Sequence, residues 1–223
     1  MKPITVLLAD DHMIVREGFR ALLRIETDIT VVGEANDGRV AVEMAKKHKP
    51  DVVVMDIAMP LLNGLGATRQ ILEILPATRV LILSAHSDDP YIDRVLAVGA
   101  AGFLIKQTSA SCLSDAIREI HKGNTFFSPS ISKRIHEQKG NSKKVRGAKS
   151  AKGLTAREME VIQLVAEGAA NKQVASDLGI SIKTVEKHRQ HLMDKLNIHD
   201  TAGLTRYAIA HGIIESSVQV TII

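Results

Sequence analysis

Short, almost wholly apolar runs alternate with longer stretches of helical hydrophobic period over the first 125 residues of the chain. The apolar runs have the length of strands, and the longer stretches repeat apolar residues at the three- and four-residue spacing of one helix face. Strands are predicted at residues 4–9, 29–34, 51–55, 80–84 and 102–105. Helices are predicted at residues 14–26, 39–47, 64–75, 90–98 and 109–122.

The predicted strands show no regular alternation of apolar and polar residues, so neither face of their sheet is expected to meet water. Strands of this kind that are joined by helices build a parallel sheet with helices packed on both sides. The fold predicted for residues 1–125 is therefore α/β, a doubly wound five-stranded parallel sheet.

An all-helical pattern begins after residue 153, with helices predicted at residues 154–167, 171–178, 181–196 and 201–211. Thr155 and Glu158 have the spacing of a capping box at the start of the first of these helices. Gly179 separates a short second helix from a longer third one, which is the arrangement of a helix-turn-helix. Residues 153–214 are thus predicted to form a smaller all-α domain of four helices.

Between the two patterns, residues 126–152 lack a hydrophobic period and are predicted to be a flexible linker. Residues 132–152 carry eight Lys and Arg against one Glu, a net charge of +7, whereas the whole chain carries +4. This charge either keeps the linker solvated or helps to hold the phosphates of a nucleic acid. The tail at residues 215–223 is β-prone and is either disordered or an edge-pairing strand.

Composition narrows the class of protein. With 45% hydrophobic and 24% charged residues among 223, the chain has the make-up of a globular protein. No apolar stretch approaches the ~18 residues of a membrane span, so no membrane partner is expected. Cys112 is the only cysteine, which excludes an intrachain disulfide and favours a reducing, cytoplasmic location.

Acidic residues follow two of the predicted strands at the point where each strand ends. Asp10 and Asp11 come directly after the first strand, and Asp56 follows the third. The carboxyl ends of parallel strands meet at one edge of a sheet, so these three carboxylates are expected to converge. Like charges that lie so close need a proton or a cation, and Mg2+ suits such oxygen ligands.

A hydroxyl and an ammonium group join the acids at the same edge, because Ser84 ends the fourth strand and Lys106 follows the fifth. Each residue has an ordinary explanation by itself, such as a helix cap, a turn or a solvated charge. Five such residues at the ends of four strands instead favour one site, and the chemistry they suit is phosphoryl transfer.

The same residues resemble a known family. The segments 9–12 (ADDH), 55–60 (MDIAMP) with Gly64, 83–85 (LSA) and 99–106 (GAAGFLIK) resemble the receiver domain of two-component response regulators, a flavodoxin-like fold. The resemblance implies that Asp56 accepts a phosphoryl group and that Phe103 is an aromatic switch that rotates inward. It also implies a set of binding residues: Asp11, Asp56 and the carbonyl of Ala58 as direct ligands of Mg2+, Asp10 acting through water, and Lys106 and Ser84 contacting the phosphoryl group.

In this family the residues two positions beyond the phosphoacceptor and beyond the hydroxyl residue tune the loss of the phosphoryl group. Here they are Ala58 and His86. The methyl group of Ala58 cannot position a water molecule, whereas the sequence does not settle whether His86 can. A phosphorylated lifetime of minutes or longer is therefore predicted.

The third helix of the C-terminal domain has one apolar face, formed by Val185, Leu192 and Leu196, with residue 188 or 189 completing it. Its other side chains point outward. Residues 154–158 (LTARE), Asn171, 178–181 (LGIS) and 184–188 (TVEKH) resemble the LuxR-type helix-turn-helix of NarL/FixJ-type regulators.

That resemblance implies a DNA-reading surface on the third helix. The residues best placed for base edges are Glu186, Lys187 and Gln190. Those better placed for the phosphate backbone are Lys172, Ser181, Thr184 and His191. Lys183 lies on the same outward face and is also expected to take part in DNA binding. The fourth helix, with Leu204, Tyr207 and Ala208, resembles the dimerisation helix of the family, but it could equally be core.

The function implied is that of a transcriptional regulator and not of an enzyme. A sensor histidine kinase would phosphorylate Asp56, and the protein would dimerise and bind promoter half-sites about one helical turn apart. Two alternatives stay open. One is a DNA-binding regulator that works without phosphorylation and keeps a relict receiver. The less favoured one is an aspartyl-phosphate phosphatase, which would need a second acid where Ala58 stands.

Overall fold

A computed structural model describes residues 2–85, 89–109, 112–127 and 154–214. The chain forms two compact units, an N-terminal one built on a sheet and a C-terminal one built of helices. Most of the predicted linker, His86 and the tail at 215–223 lie outside the described residues. Among the described residues, no helix is long and apolar enough to cross a membrane.

All strand pairs in the N-terminal unit are parallel, and the strand order is β2-β1-β3-β4-β5-β6. The strands are β1 Ile4–Ala9, β2 Ile29–Ala35, β3 Val52–Asp56, β4 Arg79–Ser84, β5 Gly102–Ile105 and β6 Phe126–Phe127. The prediction of a parallel α/β sheet is confirmed, with the five predicted strands in place.

The sixth strand corrects the prediction, which gave five strands and assigned residues 126 and 127 to the linker. Phe126 pairs with Gly102 and Phe127 with Phe103. A Cβ atom on Gly102 would lie 2.5 Å from the carbonyl oxygen of Phe126, so the missing side chain is what lets the two backbones approach. A strand of two residues is too short to show a period, which is why the sequence pattern missed it.

Helices cover both faces of the sheet, as a doubly wound fold requires. They are α1 Met13–Arg24, α2 Gly38–His48, α3 Gly64–Ile74, α4 Asp89–Ala97, α5 Lys106–Ser109 and α6 Leu113–His121. Val6 and Leu8 pack against α1 and α6, and Leu7 between them, which points the opposite way, is also fully buried. The helix predicted at 109–122 corresponds to α6, and the separate short helix α5 precedes it.

The described residues of the C-terminal unit form four helices: α7 Ala156–Ala166, α8 Asn171–Leu178, α9 Ile182–Leu196 and α10 Thr201–Ala210. The predicted capping box is present, since Glu158 accepts a hydrogen bond from the Thr155 amide and Thr155 Oγ1 accepts one from the Glu158 amide. The buried Glu158 carboxylate also lies 2.7 Å from Lys195 Nζ, which joins α7 to α9. Gly179 adopts φ 61° between α8 and α9, where glycine is unstrained.

Leu204 and Ala208 are fully buried in the core of this unit together with Val185 and Leu192. The sequence had left two interpretations of these residues open, a dimer contact and a core position. In this fold their side chains belong to the core, because α10 packs against α7; the role of α10 in dimerisation stays a prediction. Tyr207 is half-buried.

Candidate functional site

The predicted acids do meet at one edge of the sheet. Strands β1 and β3 are neighbours, and Ala9 pairs with Met55, so Asp10 and Asp56 follow at the same level. Both side chains are buried, with 3% of Asp10 and 2% of Asp56 exposed, while Asp11 faces the solvent. Because the buried carboxylates of Asp10 and Asp56 are removed from water, each needs a charged or hydrogen-bonding partner.

Lys106 supplies that partner to both buried acids. Its Nζ atom lies 2.8 Å from Asp10 Oδ2 and 2.9 Å from Asp56 Oδ2. Lys106 directly follows β5, and β4 separates β5 from β3, so the side chain reaches across the end of one strand. A lysine has the length for this reach and places a compact positive charge against two oxygens.

His12 forms a second contact to the acids. Its Nδ1 atom lies 2.7 Å from Asp11 Oδ1 and 3.4 Å from Asp10 Oδ1, and its backbone amide donates to Asp10 Oδ1 at 2.9 Å. One ligand atom from each of Asp10, Asp11, His12 and Asp56 lies within 4.8 Å of the other three. His12 ends the ADDH segment at residues 9–12, and its position beside two acids was a usable signal in the sequence for a contact at this site.

Burial makes Asp56 an unusual carboxylate. It raises the pKa of Asp56 to about 7, and the nearby charge of Asp10 acts in the same direction while the Lys106 ammonium opposes it. Burial by itself would lower the pKa of Lys106, but Asp56 and Asp10 raise it above the usual value. Lys106 is therefore charged at neutral pH, and Asp56 is poised between its protonated and ionised forms.

The backbone beyond Asp56 leaves no room for a side chain at residue 64. A Cβ atom on Gly64 would lie 1.9 Å from the carbonyl oxygen of Asp56, and the Gly64 amide donates to Ile57 at 2.8 Å. Glycine is thus required for α3 to begin against the end of β3. Ala58, the predicted carbonyl ligand, lies two residues beyond Asp56 and is half-buried.

Ser84 and Phe103 lie in the two strands between Asp56 and the sheet edge at β6. Ser84 ends β4 and is 2% exposed; Leu83 before it pairs with Asp56. Phe103 pairs with Ile82 and is fully buried. Ser84 therefore lies in the strand beside that of Asp56, and Phe103 lies in the next strand.

In the C-terminal unit, α9 presents the outward surface that the sequence predicted. Ser181 is its N-cap, and the Ser181 hydroxyl accepts from the Thr184 amide at 3.1 Å. Val185, Leu192 and Leu196 are buried. The predicted DNA-contacting side chains Lys172, Ser181, Lys183, Glu186, Lys187, Gln190 and His191 are exposed, and Thr184 is half-buried.

Arg189 lies in this surface region and has a structural role that the sequence pattern did not reveal. Its guanidinium donates to Asn171 Oδ1 at 2.7 Å and to Thr201 Oγ1 at 3.4 Å. These partners open α8 and α10, so one side chain on α9 ties the starts of both neighbouring helices to it. Sequence reasoning had considered residue 189 only as a possible member of the apolar face.

Comparison with known proteins agrees with this arrangement. Residues 6–118 match the family described as response regulator receiver domain, and residues 152–208 match bacterial regulatory proteins of the luxR family. The chain is 35% identical to the transcriptional regulatory protein DegU of Brevibacillus brevis, with 94% of both chains covered. It is 36% identical to the oxygen regulatory protein NreC of Staphylococcus carnosus, with 94% of this chain and 99% of the relative covered.

A solved structure extends the likeness to both units. RcsB from Salmonella enterica serovar Typhimurium, bound to promoter rprA in the presence of phosphomimetic BeF3−, is 25% identical to this chain with a TM-score of 0.60. The match covers 92% of this chain and 98% of RcsB. The chain therefore belongs to the response regulators that join a receiver domain to a LuxR-type DNA-binding domain.

Proposed function

We propose that Asp56 accepts a phosphoryl group from a sensor histidine kinase and that this event switches dimerisation and the binding of promoter DNA. The observation that carries the proposal is the position of Lys106 Nζ, 2.8 Å from Asp10 and 2.9 Å from Asp56. One fixed ammonium next to a buried, otherwise reactive carboxylate is the arrangement that phosphoryl transfer needs.

The transfer itself is a displacement at phosphorus. An oxygen of ionised Asp56 attacks the phosphoryl group of the kinase's phosphohistidine; the P–O bond forms as the P–N bond breaks, and the imidazole leaves. Lys106 is close enough to follow the phosphoryl oxygens, because its ammonium already contacts the attacking carboxylate. Ser84, at the end of the adjacent strand, would donate its hydroxyl to the product.

The acidic pocket suits Mg2+, because the carboxylates of Asp10, Asp11 and the buried Asp56 have ligand oxygens within 4.8 Å of one another. Asp11, Asp56 and the carbonyl of Ala58 would hold the ion directly, and Asp10 through water. When bound, Mg2+ neutralises charge on the phosphoryl oxygens. Asp10 and Asp11 would serve the reaction by holding the ion beside Asp56.

The switch would run from Ser84 to Phe103. A hydroxyl drawn toward the phosphoryl group changes the packing at the ends of β4 and β5, and Phe103 lies in β5 beside Ile82 of β4. An aromatic ring that changes position there alters the surface of the receiver next to α4. That surface change is the signal that promotes dimerisation.

The output is DNA binding through α9. Glu186, Lys187 and Gln190 would meet base edges; the residues that hold the phosphate backbone would be Lys172, Ser181, Lys183, Thr184 and His191. The binding of RcsB to a promoter supports DNA binding as the output. The exposure of all three base-reading side chains supports their assignment. The cytoplasm would be its place of action, because the luxR-family proteins that it matches are bacterial and bacterial genomic DNA lies there. The basic segment 132–152 would join the two domains and add attraction for DNA.

The test uses purified full-length protein and a radiolabelled small phosphoryl donor such as acetyl phosphate with Mg2+. Wild-type protein is expected to take up the label and to bind promoter DNA more tightly, whereas Asp56→Asn takes up none and binds as the unlabelled protein does. Equal labelling of both proteins would refute the assignment of Asp56. Equal DNA binding and equal activation of transcription would instead favour the relict-receiver alternative.

The phosphatase alternative predicts a different outcome in the same preparation. Sustained release of phosphate from phosphate esters at many turnovers per protein would support it. No such turnover is expected here, because Ala58 offers a methyl group where a catalytic acid would be needed.

A further inference from the structure

We propose that Ile182, the first residue of α9, contacts the methyl group of thymine in the major groove and so contributes to the choice of DNA sequence. This inference rests on the proposed function, since it needs α9 to read promoter DNA. It adds an apolar contact to the base-reading set of Glu186, Lys187 and Gln190, whose polar groups discriminate between bases by hydrogen bonds.

Ile182 is an apolar side chain exposed on an outward surface that is otherwise polar. It is 46% exposed, whereas Ile180, two residues earlier, packs against the hydrophobic core of the C-terminal unit. Within the described residues 154–214, Ile209 on α10 is the only other large hydrophobic side chain that is exposed. Burial in the core therefore does not explain an isoleucine at residue 182. Helix propensity does not explain it either, because a β-branched side chain lowers that propensity slightly.

The position of Ile182 on α9 places it in line with the base-reading residues. Residues four apart on a helix are neighbours on its surface, so Ile182, Glu186 and Gln190 form one row, and all three are exposed. In a helix-turn-helix the N-terminal residues of the recognition helix contact base edges. The row thus begins with an apolar side chain at the end of α9 that should meet the bases.

The start of α9 holds Ile182 in a defined position. Ser181 precedes it as the N-cap, and its hydroxyl accepts a hydrogen bond from the Thr184 amide at 3.1 Å and lies 2.8 Å from Thr184 Oγ1. An isoleucine in a helix has one strongly preferred χ1 rotamer, so little side-chain freedom remains to be lost on binding. A capped backbone and a stiff side chain suit a contact with a single methyl group.

The chemistry of the Ile182 side chain selects its partner. Isoleucine neither donates nor accepts a hydrogen bond, so it gains nothing from a phosphate or from a polar base edge. In the major groove the apolar group that distinguishes one base pair from another is the C5-methyl group of thymine. Contact between the two removes apolar surface from water, and burial of one methyl group strengthens binding by about fourfold.

The experiment first selects binding sites from a library of random DNA duplexes, using purified full-length protein treated with acetyl phosphate and Mg2+. Each thymine of a selected site is then replaced by uracil, which lacks the methyl group and keeps the same hydrogen-bonding edge. Fluorescence anisotropy gives the Kd of each duplex for the wild type, Ile182→Ala and Ile74→Ala. Ile74 in α3 is the matched control, because it is also an isoleucine in a helix and is 47% exposed.

In the wild type and in Ile74→Ala, uracil at one or two particular positions of each half-site should raise the Kd about fourfold. Ile182→Ala should bind the thymine duplex about as weakly as the wild type binds the uracil duplex, and uracil should then cause no further loss. Ile182→Val, which keeps an apolar, β-branched side chain, should retain most of the difference between thymine and uracil.

Three results would overturn the proposal. One is a difference between thymine and uracil that is the same in Ile182→Ala as in the wild type, because another residue would then contact the methyl group. Another is a wild type whose Kd does not respond to uracil at any position. The third is unchanged DNA binding by Ile182→Ala with loss of transcriptional activation, which would assign Ile182 to a contact with a protein.

The variants Lys187→Ala and Gln190→Ala distinguish failure of this inference from failure of the proposed function. If both lose affinity for the selected site while the response to uracil does not depend on Ile182, only the role of Ile182 is wrong. If both bind as the wild type does, or if no site is selected from the library, the reading of DNA by α9 fails as well.

Discussion

Lys106 Nζ lies 2.9 Å from Asp56 Oδ2, and this contact joins two residues that β4 separates in the sheet. The carboxylate is 2% exposed, so the ammonium is its main compensation for the loss of water. The compensation is incomplete, because the pKa of Asp56 is still raised to about 7. The site therefore keeps an acid that is destabilised in its charged form.

The first prediction concerns stability and pH. The folded-state pKa of Asp56 lies above the usual value of about 3.8–3.9, so folding favours the protonated acid. The free energy of unfolding should therefore fall as pH rises from about 4 through 7. In metal-free buffer, Asp56→Asn should be more stable than the wild type by roughly 2–4 kcal/mol at pH 8, and by much less at pH 4. Urea unfolding followed by circular dichroism measures the free energy of unfolding of both proteins at each pH. A difference that does not change between pH 4 and pH 8 would contradict the raised pKa.

The second prediction concerns the lifetime of the phosphoryl group. Ala58 carries only a methyl group two residues beyond Asp56, so it cannot orient a water molecule for attack on phosphorus. After removal of the donor, label on the wild type should decay over minutes or longer. Ala58→Asn, which can bind a water molecule, should lose it several times faster. Decay of the wild type within seconds would show that another group positions the water.

The third prediction concerns Gly64. A methyl group at this position would lie 1.9 Å from the Asp56 carbonyl oxygen, so Gly64→Ala must displace backbone next to the phosphoacceptor. We expect a loss of about 3 kcal/mol or more in the free energy of unfolding, and a strong reduction in labelling.

The control for this variant is Gly18→Ala in α1, where an added Cβ meets no atom within 4 Å. Alanine favours a helix interior, so this substitution should raise stability by about 0.5–1 kcal/mol and leave labelling unchanged. Similar losses in the two variants would mean that the close approach of Gly64 to the Asp56 carbonyl oxygen does not cause the loss of stability and labelling.

The fourth prediction concerns Arg189, which donates to Asn171 and Thr201. Arg189→Ala should free α9 from the starts of α8 and α10. Binding to all DNA sequences should weaken by roughly ten- to a hundredfold, in line with about 1.5–3 kcal/mol for hydrogen bonds to a charged group. Fluorescence anisotropy with a labelled promoter fragment measures the Kd. Arg206→Ala, which removes the same charge from an exposed position of α10, is the control. Equal effects of the two substitutions would point to lost charge and not to lost positioning.

The fifth prediction concerns the basic segment 132–152, with its net charge of +7. Changing Lys143, Lys144 and Arg146 to Gln should weaken DNA binding at all sequences and flatten its dependence on salt, because fewer counterions are released. The same number of charges removed from the receiver at Lys46, Lys47 and Lys49 should leave the slope unchanged. A slope that stays the same in the linker variant would mean that the linker charge serves solvation.

Local sequence was sufficient for much of the fold. The apolar runs that became β1 and β3 and the capping box of Thr155 and Glu158 are properties of residues close together in the chain. The convergence of Asp10 and Asp56 also followed from the sequence, because every parallel strand places its carboxyl end at the same edge. In the C-terminal domain, the period of α9 was enough to separate buried Val185 from exposed Lys187.

The tertiary structure decided the contacts that depend on register and reach. Only the folded structure shows that Lys106 spans β4 to meet two acids, that His12 contacts Asp11, and that Arg189 joins two helix starts. It also decided that Leu204 is core. The physical reason is that hydrophobic period and capping arise from neighbours in the chain, whereas these contacts join side chains whose separation is set by how strands and helices pack.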